Sequence, residues 1–501
     1  MTTKDTALLL NSNLIRTHIH AIKKAPFLFF LISFISYTIF SIYQWNTLLV
    51  PHFDLAIFSQ LIDSYSHFHA PIVDIKGPDY NLLGDHWHPL LIILTPLYWI
   101  APSPLTLLIA QNFFFALSAI PLVRFAYEKL SRKQAFLFSL SYVCSFGVIN
   151  AILGQFHEIA LAMPLFSWGL IAWMRTRYFH SSLILSFLVL VKEDLGVTLA
   201  FFGVITLITL LFHERKNNAS LTQTIKDNTR YVYSSLFFIV WGGIWFILTM
   251  KVLIPFFNTS GHYDYSQQVS VFRDIPDFYA FLWERWPLYL SILFLIVTAG
   301  IIGVRSPYFL LILPTLFGRF WGGSTPYWEI FYRHYNAILM PMIFVALLDV
   351  LIRHKSKKSQ STGLHTYLYK NSLSFSLACS LILLPISIYE EVDTHTREHM
   401  ESAQKARVYA QGYKGKNILT DYIFLSYAAH DDNRVFYTLT LGDYKDINVI
   451  ISDERHWILD DVRQKEGHPM SIQERAETFI PGSQWKIIFS ENGYQVLERI
   501  Q

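Results

Sequence analysis

Residues 27–54 read FLFFLISFISYTIFSIYQWNTLLVPHFD. The first 24 of them, Phe27 to Val50, carry no charge. At 1.5 Å per helical residue such a run crosses a hydrocarbon core of roughly 30 Å. It has no short apolar core followed by a small-residue cleavage site, so it reads as a retained membrane helix rather than a leader. It stops at Pro51-His-Phe-Asp54, where a histidine and then the first carboxylate follow the span.

The rest of the chain repeats this pattern. Of 501 residues, 52% are hydrophobic and only 15% charged, against roughly 25% charged in soluble domains. Apolar stretches at 104–126, 134–153, 158–174, 180–192, 195–212, 231–254, 287–304, 307–319, 335–352 and 371–389 join 27–48 to make eleven expected spans. Pro89–Ala101 is apolar but short and broken by Pro96, and reads as an interfacial or re-entrant helix. With the N-terminus (1–26) in the cytoplasm, the cytoplasmic connections hold twenty Lys and Arg and the outward ones seven, as the positive-inside rule requires. The expected architecture is an all-α polytopic bundle over 27–389, with its first outward loop at 49–103. An extracytoplasmic α/β domain over 390–501 follows. There Lys416–Tyr422, Arg434–Thr440 and Asn448–Ser452 read as strands, and Trp485–Ser490 and Tyr494–Ile500 as a hairpin around Asn492-Gly493. Net charge is +3, too near zero to point to nucleic acid. Cys144 and Cys379 both lie in apolar stretches, so a disulfide is not expected.

Ionisable groups are costly at membrane depth, so their positions are informative. They gather at the expected outward ends: His52 and Asp54, then Gln60 and Asp63; Asp85, His86 and His88; His157-Glu158; Lys192-Glu193-Asp194; Arg319; and Arg333-His334. Each has a plainer reading. Asp54 serves equally as a helix N-cap, His157-Glu158 as the start of a helix, and Lys192-Glu193-Asp194 as a self-neutralising turn. Together they suggest a cavity at the membrane–water boundary suited to a lipid-linked substrate. Were that substrate a polyprenyl-phosphate sugar, transfer would need a carboxylate base, for which Asp54 is the candidate. His52, Gln60, His88, Lys192, Arg319, Arg333 and His334 would bind the substrate, with the cations taking its phosphate. Asp85, His86, His157 and Glu158 would be the candidate ligands of a divalent metal, Mg or Mn.

The runs Phe53-Asp-Leu-Ala-Ile-Phe-Ser-Gln60, His86-Trp-His-Pro-Leu90, Phe156-His-Glu158, Lys192-Glu-Asp-Leu-Gly196 and Arg333-His-Tyr335 resemble domain-of-unknown-function family 2079 of prokaryotic membrane proteins. That family is similar in layout to the GT-C integral membrane glycosyltransferases, which carry an acidic residue just after their first helix, where Asp54 stands. The resemblance implies an inverting transfer of sugar from a polyprenyl-phosphate donor to a cell-envelope acceptor. The second-loop pair is His157-Glu158 rather than two acids, a departure that weakens metal binding there. A transporter or lipid flippase would instead carry charges along a continuous path, and few fall mid-helix here. A non-catalytic scaffold would tolerate substitution of Asp54, His86 and Glu158.

Overall fold

The computed structural model describes residues 3–49, 53–216, 220–263, 286–322, 333–356, 363–388, 394–437, 440, 445–453, 476–477, 480 and 482–500. It is mostly helical, with a small sheet near the C-terminus. α1 (Thr3–Asn46) carries the first apolar run, and α2 (Phe53–Ser66) begins at the Phe-Asp pair. Three short 3-10 turns follow: Asp74–Lys76, Leu82–Gly84 and Pro89–Leu94. The last runs into α3 (Thr95–Ile100). The bundle continues with α4 (Pro104–Lys129), α5 (Arg132–Val143), α6 (Phe146–Leu153), α7 (Ile159–Met174), α8 (Tyr178–Ser186), α9 (Leu195–Lys216), α10 (Leu221–Asp227) and α11 (Thr229–Leu248). Then come α12 (Ile254–Phe257), α13 (Trp286–Thr298), α14 (Leu313–Gly322), α15 (Leu339–Ser356) and α16 (Leu364–Ile388).

Among the described residues, six helices are long and apolar enough to cross a membrane: Ile22–Asn46, Pro104–Lys129, Arg132–Leu153, Leu195–Arg215, Thr229–Phe257 and His334–Lys355. The count of eleven full spans is therefore not reached on these criteria. The reason is local. Ile159–Met174 has 16 residues, about 24 Å of helix at 1.5 Å each. The stretch 180–192 leaves the α-helix at Ser186 for a 3-10 turn, and 307–319 begins as 3-10 before Leu313-Pro314 opens α14. Pro89–Ile100 is a short apolar helix with Ile93, Trp99 and Ile100 exposed.

Close backbone contact fixes the α9–α11 crossing. A Cβ on Gly196 would lie 2.7 Å from the Gly242 carbonyl oxygen, and one on Gly242 would strike the Gly196 carbonyl. Small residues at such crossings let helices approach without a side chain between them. Gly242→Val is expected to force the pair apart at a cost of about 1–3 kcal/mol, read as a lower Tm of the purified protein; an unchanged Tm would mean the crossing absorbs the methyls.

After α17 (Thr394–Glu398) and α18 (Met400–Gly412) comes the sheet. β1 (Asn417–Thr420), the short α19 (Leu425–Ala428), β2 (Arg434–Tyr437) and β3 (Val449–Asp453) precede the hairpin β4 (Trp485–Glu491) and β5 (Tyr494–Arg499). The order is β2-β1-β3-β5-β4, with β1 parallel to both β2 and β3, and β5 antiparallel to β3 and β4. Asn492 and Gly493 turn the hairpin with φ of 49° and 84°, the left-handed pair that a two-residue turn needs.

Side chains alternate across a strand, and here both faces are used. Ile418, Val435, Val449, Ile451 and Val496 belong to the apolar core that also holds Trp45, Leu55 and Leu61 of the bundle. Leu419, Phe436, Ile450, Trp485 and Leu497 form a separate core on the other face. The sheet domain, expected as a small soluble unit, is thus docked on the bundle. Polar contacts hold the junction. Tyr427 Oη donates to the Trp45 carbonyl (2.9 Å), and Thr440 Oγ1 to that of Ile75 (2.6 Å). Arg434 forks onto the buried Asp74 carboxylate at 2.8 and 2.6 Å, the bidentate geometry that favours arginine.

Candidate functional site

Asp54 sits half-buried in the first turn of α2. Its backbone N–H donates to Gln155 Oε1 at 2.7 Å, and Gln155 Nε2 donates to its carboxylate oxygen Oδ2. Gln155 therefore grips both ends of the residue. Gln155 is itself buried, in the short connection between α6 and α7. Gln111 of α4 fixes that connection: it donates to the Ala151 carbonyl (3.0 Å) and accepts from the His157 amide (3.0 Å). One turn along α2 from Asp54, on the same face, the Phe58 ring packs against His88 (5.8 Å) and His157 (5.3 Å).

Beyond Phe58 lies a buried charge cluster. Glu158, 1% exposed, is ion-paired with Lys192 Nζ at 3.0 Å and with His157. Glu193 takes His86 Nδ1 at 2.7 Å, the Trp87 amide at 3.0 Å and the Tyr263 hydroxyl at 3.3 Å. Lys76 pairs with Asp85 at 2.7 Å. The 3-10 turn Arg333–Asn336 closes the far side. There His334 stacks on His157 with centroids 3.4 Å apart, Tyr335 lies under the Arg319 guanidinium, and Asn336 Oδ1 accepts from Arg319 at 2.8 Å.

These contacts separate the titration behaviour of the groups. Burial by itself would raise the Glu158 carboxyl, but His157 and Lys192 outweigh it and hold Glu158 well below the usual carboxylate range. Burial likewise opposes the charge on Lys192, and Glu158, Asp194 and Glu193 more than compensate, so its ammonium is held well above the ordinary lysine value. Glu193 follows Glu158: His86 overcomes its burial and brings it to about 2. Burial brings His88 down to about 4, so its ring is neutral near pH 7, and its Nδ1 is buried with no hydrogen-bond partner.

Asp194 differs from its neighbours. It keeps solvent access while its carboxyl is surrounded by protein. Burial pushes its carboxyl up to about 6; Lys192 opposes that and Glu193 adds to it. A folded-state value above the unfolded one means that its stabilising effect is lost as pH rises through about 6. His86 acts in the same direction, because Glu193 overcomes its burial and raises it. His88, brought down to about 4, acts against both as pH falls below 6.5, so the Asp194 contribution is read by difference: from pH 7.5 to 5, Asp194→Asn is expected to gain less Tm, or lose more, than the wild-type protein. A variant with the wild-type profile would refute the assignment.

The structure thus brings together Asp54, His88, Lys192, Arg319, His334, Asp85, His86, His157 and Glu158. Gln60 lies apart, its amide oxygen accepting from the Ile75 N–H at 3.4 Å. His52 and the Arg333 side chain lie outside the described residues. The four expected metal ligands do not converge. Asp85 goes to Lys76, His86 to Glu193, and Glu158 to Lys192. Lys192 Nζ stands where a cation on Glu158 would, so these residues do not fit a metal there without displacing it. Sequence reading gave no role to Gln155, Gln111, Lys76, Glu193 or Tyr263. Gln111 was detectable, as a polar residue inside an apolar span.

A family model described as predicted membrane protein (DUF2079) matches residues 44–495. The chain belongs to the DUF2079 family. The match spans α2, the whole charge cluster and the sheet through the start of β5. No curated protein matches the chain.

Proposed function

We propose that this DUF2079 member is an inverting glycosyltransferase of the GT-C type, with Asp54 as its base. The observation that carries the reading is the Gln155 grip on the Asp54 carboxylate, one helical turn from Phe58, whose ring packs on His157 of the buried His–Glu–Lys cluster. A base must be held in place beside the reacting centre, and an anionic leaving group needs fixed cations. In the proposed step an acceptor hydroxyl attacks the anomeric carbon as its C–O bond to phosphate breaks. Asp54 takes the hydroxyl proton, and polyprenyl phosphate leaves with the electron pair. Lys192 and Arg319 balance its charge in place of a metal. An apolar cavity of about 460 Å³, lined by Phe29, Tyr37, Cys144, Ile152 and Leu153 among others, ends two residues before Gln155 and suits an isoprenoid tail.

The same reading assigns the chain to the inner membrane in eleven helical passes, with the N-terminus inside and the sheet domain and charge cluster outside. The acceptor is an envelope glycan, lipid or protein. The test incubates the purified protein in nanodiscs with labelled polyprenyl-phosphate sugars, with and without EDTA. Transfer of label to an acceptor or to water, unaffected by chelation, is expected. Absence of both donor binding and turnover in a folded protein would overturn the reading, and loss on chelation would restore a metal to the site.

A further inference from the structure

We propose that Asp63, His67 and Asp432, with His69 beside them, form a zinc-class metal site that fastens the end of α2 to the sheet domain. Asp63 and His67 stand four residues apart at the end of α2, and Asp432 comes from the turn between α19 and β2. One ligating atom from each lies within 4.8 Å of the others. His69 Nδ1 is 3.8 Å from Asp432 Oδ1, and its ring stacks on that of His67 at 6.0 Å.

Asp63 is the decisive residue. It is 3% exposed. Its Oδ2 accepts the Asp432 amide at 2.8 Å, while Oδ1 is buried with no hydrogen-bond partner. A buried carboxylate oxygen left unpaired is costly, and a cation is the partner the surrounding groups are equipped to hold. Two carboxylates balance a divalent charge. Mixed His and Asp donors favour zinc over magnesium or calcium, which prefer oxygen alone. His67, His69 and Asp432 are exposed, and closing to tetrahedral spacing takes His67 Nδ1 off the Asp63 carbonyl that it contacts at 2.9 Å or uses its other ring nitrogen. This site is separate from the cluster at Glu158 and does not depend on the proposed transfer.

The full chain, free of any affinity tag, is stripped with EDTA in detergent and re-exposed to zinc. Zinc per chain is measured by mass spectrometry and Tm by scanning fluorimetry. One zinc per chain is expected, with a Tm that rises on binding and returns on chelation. His67→Ala/Asp432→Asn should lose both effects, and Glu158→Gln should retain them. His69→Ala, a single change on the surface, should weaken binding by roughly tenfold. No stoichiometric zinc, zinc kept by the double variant, or zinc lost in Glu158→Gln instead would overturn the site, leaving Asp63 as a hydrogen-bonded latch only.

Discussion

Asp54→Asn is expected to lower sugar transfer by about 10²–10⁴-fold, the usual contribution of a positioned general base, while leaving the protein folded. The substitution keeps an oxygen to accept from Gln155 Nε2, and the backbone bond from residue 54 to Gln155 Oε1 is untouched. What it removes is the capacity to take a proton. Gln155→Leu makes the complementary change: the carboxylate stays but loses its grip, so kcat should fall, and the Tm with it, because the Asp54 and Leu55 amides lose their acceptor. Donor binding measured alongside separates chemistry from affinity. An Asp54→Asn variant that transfers at the wild-type rate would remove Asp54 from the reaction and shift weight to a transporter or scaffold reading.

The second large effect concerns the Lys192–Glu158 pair. Lys192→Met should destabilise the fold by about 3–5 kcal/mol, because it strands a buried carboxylate beside Glu193 and Asp194. Glu158, 1% exposed, has only His157 and Lys192 as ion-pair partners among the described residues. Removing both charges should cost much less: Lys192→Met/Glu158→Gln is expected to recover most of the loss, a positive coupling that a double-mutant cycle reads from Tm or denaturant unfolding. Two losses that simply add would mean that the pair is screened by solvent reaching it from the Asp194 side. On the proposed mechanism both variants bind donor poorly, since neither presents the cation.

Much of this molecule is legible one segment at a time. The membrane helices follow from runs such as 27–50, whose apolar length needs no partner to be recognised. Asn492-Gly493 specifies its hairpin because only residues tolerant of positive φ make a two-residue turn. The strands at 417–420, 434–437 and 449–453 fall where short apolar runs were read. Even the polar runs at 84–89, 154–158, 192–194 and 333–335 announce themselves, since charge amid such sequence is expensive.

Pairing is what no local pattern contains. That Lys192 goes to Glu158 rather than to the adjacent Glu193, and that His86 takes Glu193 rather than joining a metal with Glu158, depends on how separate loops meet. The same holds for Gln155 gripping Asp54 from 101 residues away, and for β3 lying between β1 and β5. The docked face of the sheet is a tertiary decision as well. Ile418 and Leu419 are equally apolar, and only packing directs one to the bundle and the other to the far core. Which groups are costly to bury follows from residue type; which of them offset one another follows from distance in space and local dielectric, not from spacing along the chain.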